Sequence, residues 1–362
     1  MESRKSLSLR WIVFSLICVS MLLAACAPAA TPAAAPAPAE KTEAPAVAAP
    51  AEAAPSAPAA AEPATGKKNY TICQLNASLA EPWNVQMDED IKAAAAKYPN
   101  KDFPDVTVTV QYKDAQNDVL RQRAQLEECV LAKVDAIIAG PIEAGPMTDP
   151  IAKAVDAGIP VFLVGRGVNG DKYTQYIGSD EFKLSYAETQ WVVKNYGGKK
   201  AKVVYLQGLM TSSPAQERFA GFKKALEGSD IEVIFTADAK WDESAARSEM
   251  ESALSRFDKI DVVVGANDPS AHGAYLAAKA AGREKEMVFV GIDGLKHEGQ
   301  AYVQQGIFAM TIIDRTGGDI GLDNVVKYLN GKDIGEKTFY KKAILLDKDG
   351  QIEIDIPDSV KK

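Results

Sequence analysis

Val134-Asp135-Ala136-Ile137-Ile138-Ala139-Gly140 and Ile260-Asp261-Val262-Val263-Val264-Gly265-Ala266 read as one phrase written twice. Each is a short apolar, strand-like run. Around the first lie four more runs, at 71–75, 106–112, 160–165 and 176–180. Around the second lie 202–207, 231–238, 287–293 and 308–313. Between them come stretches with apolar residues at helical spacing, such as Met87, Ile91, Ala95 and Tyr98, or Met250, Leu254 and Phe257. Strand alternating with helix means a parallel sheet with helices on both faces. Two series of five mean two such α/β lobes, each doubly wound and related as pseudo-repeats.

The phrase occupies only part of a 362-residue chain with 41 basic and 49 acidic side chains and a net charge of −8. Residues 1–25 open with Arg4, Lys5 and Arg10, followed by an apolar run from Trp11 to Leu23 that is too short to span a bilayer. This reads as a secretory signal peptide. It ends in Leu23-Ala24-Ala25-Cys26, which resembles the lipobox of bacterial lipoproteins and implies a lipid on Cys26. An ordinary cleavage site beside an accidental Cys is the plainer alternative. Residues 26–66 then form a tether: in 27–66, 20 of 40 residues are Ala and 9 are Pro, a composition that buries no core. The remaining 296 residues carry 44 acids and 37 bases. An acidic body argues against nucleic acid as a partner, since that binding draws on clustered Lys and Arg. The four Cys, at 18, 26, 73 and 129, leave two in the body. Buried free thiols are their default state, and a disulfide stays open in an oxidising compartment.

In open parallel sheets the ligand sits beyond the carboxyl ends of the strands. The residues there are Glu81, Trp83 and Asn84, then Arg166, Trp241, Asn267, Asp268, Asp293 and Asp314, drawn from both series. Carboxylates, amides and a guanidinium pair with vicinal hydroxyls, while an indole covers the C–H face of a sugar ring. Several of these residues have blander readings. Trp83 begins an apolar stripe. Asp268-Pro269 suits the start of any helix, and Asp242 after Trp241 is a plausible N-cap. Ser213-Pro214-Ala215-Gln216 reads as a capping box, in which Gln216 bonds backbone. Gly165, Gly167 and Gly170 spell a dinucleotide phosphate loop, but another strand follows within a few residues instead of the helix that loop requires. His272 and His297 lack partners at metal-ligand spacing, so neither a metal nor any other cofactor is expected. Asp347-Lys348-Asp349-Gly350 suits a hairpin turn.

The body from about 68 to 362 resembles the periplasmic sugar-binding proteins of the ribose-binding type, which share their fold with lactose-repressor-like ligand domains. The resemblance rests on Glu81-Pro82-Trp83-Asn84, Leu206-Gln207-Gly208, Gln216-Glu217-Arg218 with Gly221-Phe222, Asn267-Asp268 with Gly273-Ala274, Val290-Gly291-Ile292-Asp293-Gly294 and Met310-Thr311-Ile312. It implies two lobes, 67–179 with 315–342 and 180–314 with 343–362, joined by a three-segment hinge near 178–182, 312–317 and 340–344. It also implies ligand roles for Glu81, Trp83, Asn84, Arg166, Gln216, Trp241, Asn267, Asp268, Asp293 and Asp314. Departures from the family pattern are Glu81 for Asn, Asn84 for an aromatic, Gly165 for Asp, Gln216 for Arg and Asp314 for Gln. The expectation is therefore a non-enzymatic, monomeric, extracytoplasmic lipoprotein that takes a monosaccharide or polyol and serves the permease of an ABC importer. The alternatives are a sugar sensor for a membrane receptor and, more remotely, a cleft enzyme.

Overall fold

In the computed structural model, residues 69–361 are described. The signal peptide, Cys26 and the tether expected from the sequence lie outside them. All ten expected strand runs form strands. The first sheet is built from β1 (Asn69–Asn76), β2 (Thr107–Asp114), β3 (Ala136–Ala139), β4 (Val161–Val164), β5 (Gln175–Gly178) and β11 (Thr338–Tyr340), in the order β11-β5-β4-β3-β1-β2, all parallel. The second holds β6 (Lys202–Gln207), β7 (Glu232–Asp238), β8 (Val262–Gly265), β9 (Val288–Asp293) and β10 (Met310–Ile313), then the antiparallel β12 (Ile344–Asp347) and β13 (Gly350–Glu353), in the order β13-β12-β10-β9-β8-β6-β7. Without β11, β12 and β13 both sheets have the doubly wound order 2-1-3-4-5. That shared order is the structural form of the repeated phrase.

Both faces of each central strand are covered, which explains why these strands are unbroken apolar runs. Residues 136–139 are all buried: Ile137 packs with Leu126, Met147 and Ile151, whereas Ile138 packs on the other face with Met87, Ile91 and Phe162. In the second lobe Val262 and Val264 face one layer and Val263 the other. Cys73 on β1 and Cys129 on α2 (Val119–Leu131) are joined as a disulfide, with Cα atoms 6.2 Å apart, rather than staying free thiols.

Nine helices cover the sheets among the described residues: α1 (Pro82–Ala95), α2, α3 (Ala144–Asp156), α4 (Glu181–Tyr196), α5 (Ser213–Leu226), α6 (Glu243–Arg256), α7 (Asp268–Ala280), α8 (Gly299–Gln304) and α9 (Gly318–Leu329). The chain changes lobes three times. It leaves β5 for α4, which packs on α5 and β9; it returns from β10 to α9, which packs on α1 and β4; and it leaves β11 for β12. No helix among the described residues is long and apolar enough to cross a membrane.

Candidate functional site

The carboxyl ends of the two sheets face one another across a cleft lined by Glu81, Trp83, Arg166, Glu181, Arg218, Trp241, Asn267 and Asp293, with Pro82, Gly165, Pro214 and Pro269. About 40 Å³ remains between the walls, room for only a few water molecules. The Gly165-x-Gly-x-x-Gly segment runs into β5 without opening a helix, so the apparent phosphate loop has no helix dipole to offer.

Glu81 occupies the N-cap position of α1, ahead of Pro82. Its Oε2 accepts from Arg166 Nη2 at 2.6 Å and from Asn84 Nδ2 at 3.0 Å. Burial pushes the Glu81 carboxyl up from its ordinary range, while the Arg166 guanidinium draws it back. Asn84 is buried behind this pair and also donates to Ser78 O at 3.1 Å, so it braces Glu81 instead of lining the cleft.

Two indoles, one per lobe, each rest on a glycine. The six-membered ring of Trp83 lies where a Cβ at residue 165 would project, and Gly165 has φ +71°, a conformation glycine adopts without cost. The Trp241 ring lies across Gly208 in the same way. Trp241 itself is left-handed at φ +66°, directly after Lys240 at +54°. Such strain in a non-glycine residue persists only where surrounding contacts fix it. Those contacts include Asn267 Nδ2, donating to Trp241 O at 3.3 Å, and the guanidinium groups of Arg166 and Arg218, 5.9 and 5.4 Å from the ring centre.

Arg218 holds the second lobe's charges together. Its Nε donates to Glu181 Oε2 at 2.7 Å, its Nη1 donates to Ala266 O at 2.6 Å, and Nη1 lies 3.5 Å from Asp293 Oδ1. Burial raises Glu181 to about 7 despite this guanidinium, and it pushes Asp293 well above the ordinary carboxylate range against the same pull. Asp293 stands at the end of β9 with φ +130°. Arg166 Nη1 and Trp241 Nε1 are buried donors with no hydrogen-bond acceptor among the described residues. Unpaired buried donors are rare, and two of them here fit a site that completes its bonds with something else.

Six of the ten residues expected to bind therefore converge on the cleft: Glu81, Trp83, Arg166, Trp241, Asn267 and Asp293. Four are turned elsewhere. Asn84 is the brace described above. Gln216 is exposed and donates to Met210 O at 3.0 Å; the capping box does not form, because Ser212 occupies the N-cap position of α5 and Ser213 Oγ accepts from Gly167 N instead. Asp268 is buried behind Asn267, which caps α7 by accepting from Ser270 N, while Asp268 accepts from Gly294 N and Thr311 Oγ1, both at 2.7 Å. Asp314 accepts from Ser179 Oγ at 2.5 Å and from Lys341 Nζ at 2.9 Å. Glu181 and Arg218 are the cleft residues that strand-end reading misses. Helical phase marks Arg218, which shares the buried face of α5 with Ala215 and Phe222.

Residues 72–333 match the model of the periplasmic binding protein domain family. The ribose import binding protein of Bacillus subtilis is 28% identical over 64% of this chain and 72% of its own length. Among solved structures, the fructose-binding periplasmic domain of a hybrid two-component system is 35% identical with a TM-score of 0.71, covering 78% of this chain and 91% of that one. An ABC transporter solute-binding protein of Bacillus halodurans, with bound myo-inositol, is 27% identical with a TM-score of 0.71, covering 79% and 97%. Two doubly wound parallel lobes around a cleft are the type I fold of such proteins, and this chain belongs to the periplasmic binding protein family, among its ribose-binding-type, sugar-binding members.

Proposed function

We propose that the cleft binds a monosaccharide or polyol and that the chain delivers it to the permease of an ABC importer. The observation that carries this reading is the pairing of an indole from each lobe with three carboxylates and two guanidinium groups in one cleft. The indoles suit the C–H faces of a ring, and the charged groups suit its hydroxyls. Glu81, Trp83, Arg166, Glu181, Arg218, Trp241, Asn267 and Asp293 are the contacts; Asn84, Asp268 and Asp314 hold the walls. A sugar ring needs more room than the closed cleft leaves, so entry requires the lobes to part about the three crossings. No chemistry on the ligand is invoked, and the expected outcome of a long incubation is that bound sugar is recovered unchanged; a converted sugar would point to a cleft enzyme instead.

A thermal-shift panel of D-ribose, D-fructose, D-allose, xylitol and myo-inositol tests the reading. A ligand at 1,000 times its Kd adds about 4 kcal/mol, roughly 8 °C for a body of this size. No shift with any of them refutes a sugar ligand. Delivery to a membrane partner fits a lipid on Cys26 and the Ala/Pro-rich tether. Cys26→Ser then moves the monomeric protein from the membrane fraction to the soluble one. The similarity to a fructose-binding domain of a two-component system favours one second reading, presentation of sugar to a sensor kinase. Cross-linking in membranes separates the two, since the captured partner is either a permease or a kinase.

A further inference from the structure

The three crossings between the lobes each bring one side chain to a single buried cluster. Ser179 follows β5, Asp314 follows β10 and Lys341 follows β11. Ser179 Oγ donates to Asp314 Oδ1 at 2.5 Å, and Lys341 Nζ donates to the same oxygen at 2.9 Å and to the carbonyl of Arg315. The Lys341 backbone N–H donates to Gly178 O at 2.7 Å, tying the first crossing to the third a second time. The side chains of Lys341 and Asp314 are only 5% and 1% exposed. Gly317 leaves room for the lysine stem, since a Cβ there would stand 2.9 Å from Lys341 Cδ.

The cluster reaches the cleft through one residue. Trp83 Nε1 donates to the backbone carbonyl of Asp314 at 3.1 Å, and the Lys341 ammonium lies 5.8 Å from the Trp83 ring centre, within cation–π range. The same indole is confined by Gly165. Stability alone is a weak reason for such a pair, because well-packed apolar side chains of similar volume serve a buried site as well or better. Geometry supplies a stronger one: a carboxylate shared by three crossing segments keeps its bonds at one hinge angle only.

We propose that Asp314 and Lys341 are positioning residues, a clasp that fixes the Trp83 indole and holds the three crossings at the closed angle without touching the ligand. The proposal rests on the cleft being the ligand site. It is tested on the full chain labelled with 5-fluorotryptophan, whose four Trp, at 11, 83, 191 and 241, give separate 19F signals assigned by Trp→Phe changes. Lys341→Met is expected to move the Trp83 signal without ligand and leave that of Trp191, which is bonded to Asp347 Oδ2 at 2.9 Å, in place. It also weakens binding of whichever of D-ribose, D-fructose and myo-inositol the wild type takes by about tenfold, and Lys341→Arg restores both readouts. If Lys341→Met does not fold, Ser179→Ala, which removes one bond of the clasp, moves the Trp83 signal part of the way. An unmoved Trp83 signal in a folded variant overturns the proposal, as does a moved signal with wild-type affinity. If none of these three binds the wild type, the five-member panel above decides the sugar reading, and the ligand-free signal still decides the clasp.

Discussion

Shortening Leu209 separates closure of the lobes from contact with ligand. The segment after β6 crosses to the first lobe: Leu209 packs on Ala77, Ala115 and Ile142, which follow β1, β2 and β3. Beside it Ala144 N donates to Thr211 O at 3.1 Å and Gly167 N donates to Ser213 Oγ at 2.7 Å. These contacts exist only while the lobes are together. Leu209→Ala removes three carbon groups worth about 0.8 kcal/mol each when fully buried, and roughly half that here because Leu209 is half-buried, so closure loses about 1 kcal/mol. In a two-state scheme a ligand that binds the closed form loses affinity by as much as the closed form loses weight, roughly fivefold if the free protein is mainly open. Isothermal titration with the bound sugar reads the affinity, and small-angle scattering of the free protein reads the lobe separation. The affinity is expected to fall through faster dissociation, with Tm of the free protein within about 2 °C of wild type. Unchanged affinity and unchanged scattering would refute the reasoning, because the latch would then carry no weight in closure.

Gly208→Ala places a methyl group against the Trp241 ring and is expected to abolish sugar binding in a chain that still folds, as isothermal titration and circular dichroism together would report. Arg218→Met strands Glu181 and Asp293; the expected loss is about 3–5 kcal/mol at pH 8 and much less at pH 5.5, where both carboxyls can take up protons, read from thermal melts at the two pH values. Glu298, raised to about 7 chiefly by burial, binds its proton more tightly folded than unfolded, so its contribution is full below about pH 4.5 and is lost as pH rises to about 7. That limit of about 3 kcal/mol falls to about 1 kcal/mol once screening at its partly exposed side chain is counted, and Glu298→Gln should flatten the Tm profile between pH 5 and 8 by that amount. Reducing the Cys73–Cys129 bond, which closes a loop of 56 residues, removes about 4 kcal/mol in the chain-entropy account; equal melts with and without reductant would contradict it.

The fold was legible where burial on both faces of a strand left a continuous apolar run, as at 136–139 and 262–264. It was illegible where a strand has no such burden. Thr338–Tyr340 is an exposed edge of three residues, β12 is only partly buried and β13 is mostly exposed, so hydrophobic pattern marks none of them and only the turn at Asp347–Gly350 is visible. The cleft follows the same logic one level up. Chain topology fixes which residues stand at strand ends, so Glu81, Arg166, Trp241 and Asp293 could be named from the phrase and its neighbours. Topology does not fix where a strand-end side chain turns. Asp293 stays in the cleft because Arg218 draws it there, whereas Asp314, one strand over, is taken by a lysine 27 residues on, across a lobe crossing. Helix phase was the other gap. The family resemblance gave Gln216 a ligand role, but α5 takes its phase from Ala215 and Phe222, and that phase brings Arg218 to the buried face and leaves Gln216 in solvent, bonded to the backbone carbonyl of Met210. A polar strand-end residue therefore has two possible employers, ligand or hinge, and the choice depends on which opposite charge the rest of the chain brings within ion-pair reach. In this protein the first lobe's Arg166 and the second lobe's Arg218 keep Glu81, Glu181 and Asp293 at the cleft, and Lys341 removes Asp314 from it.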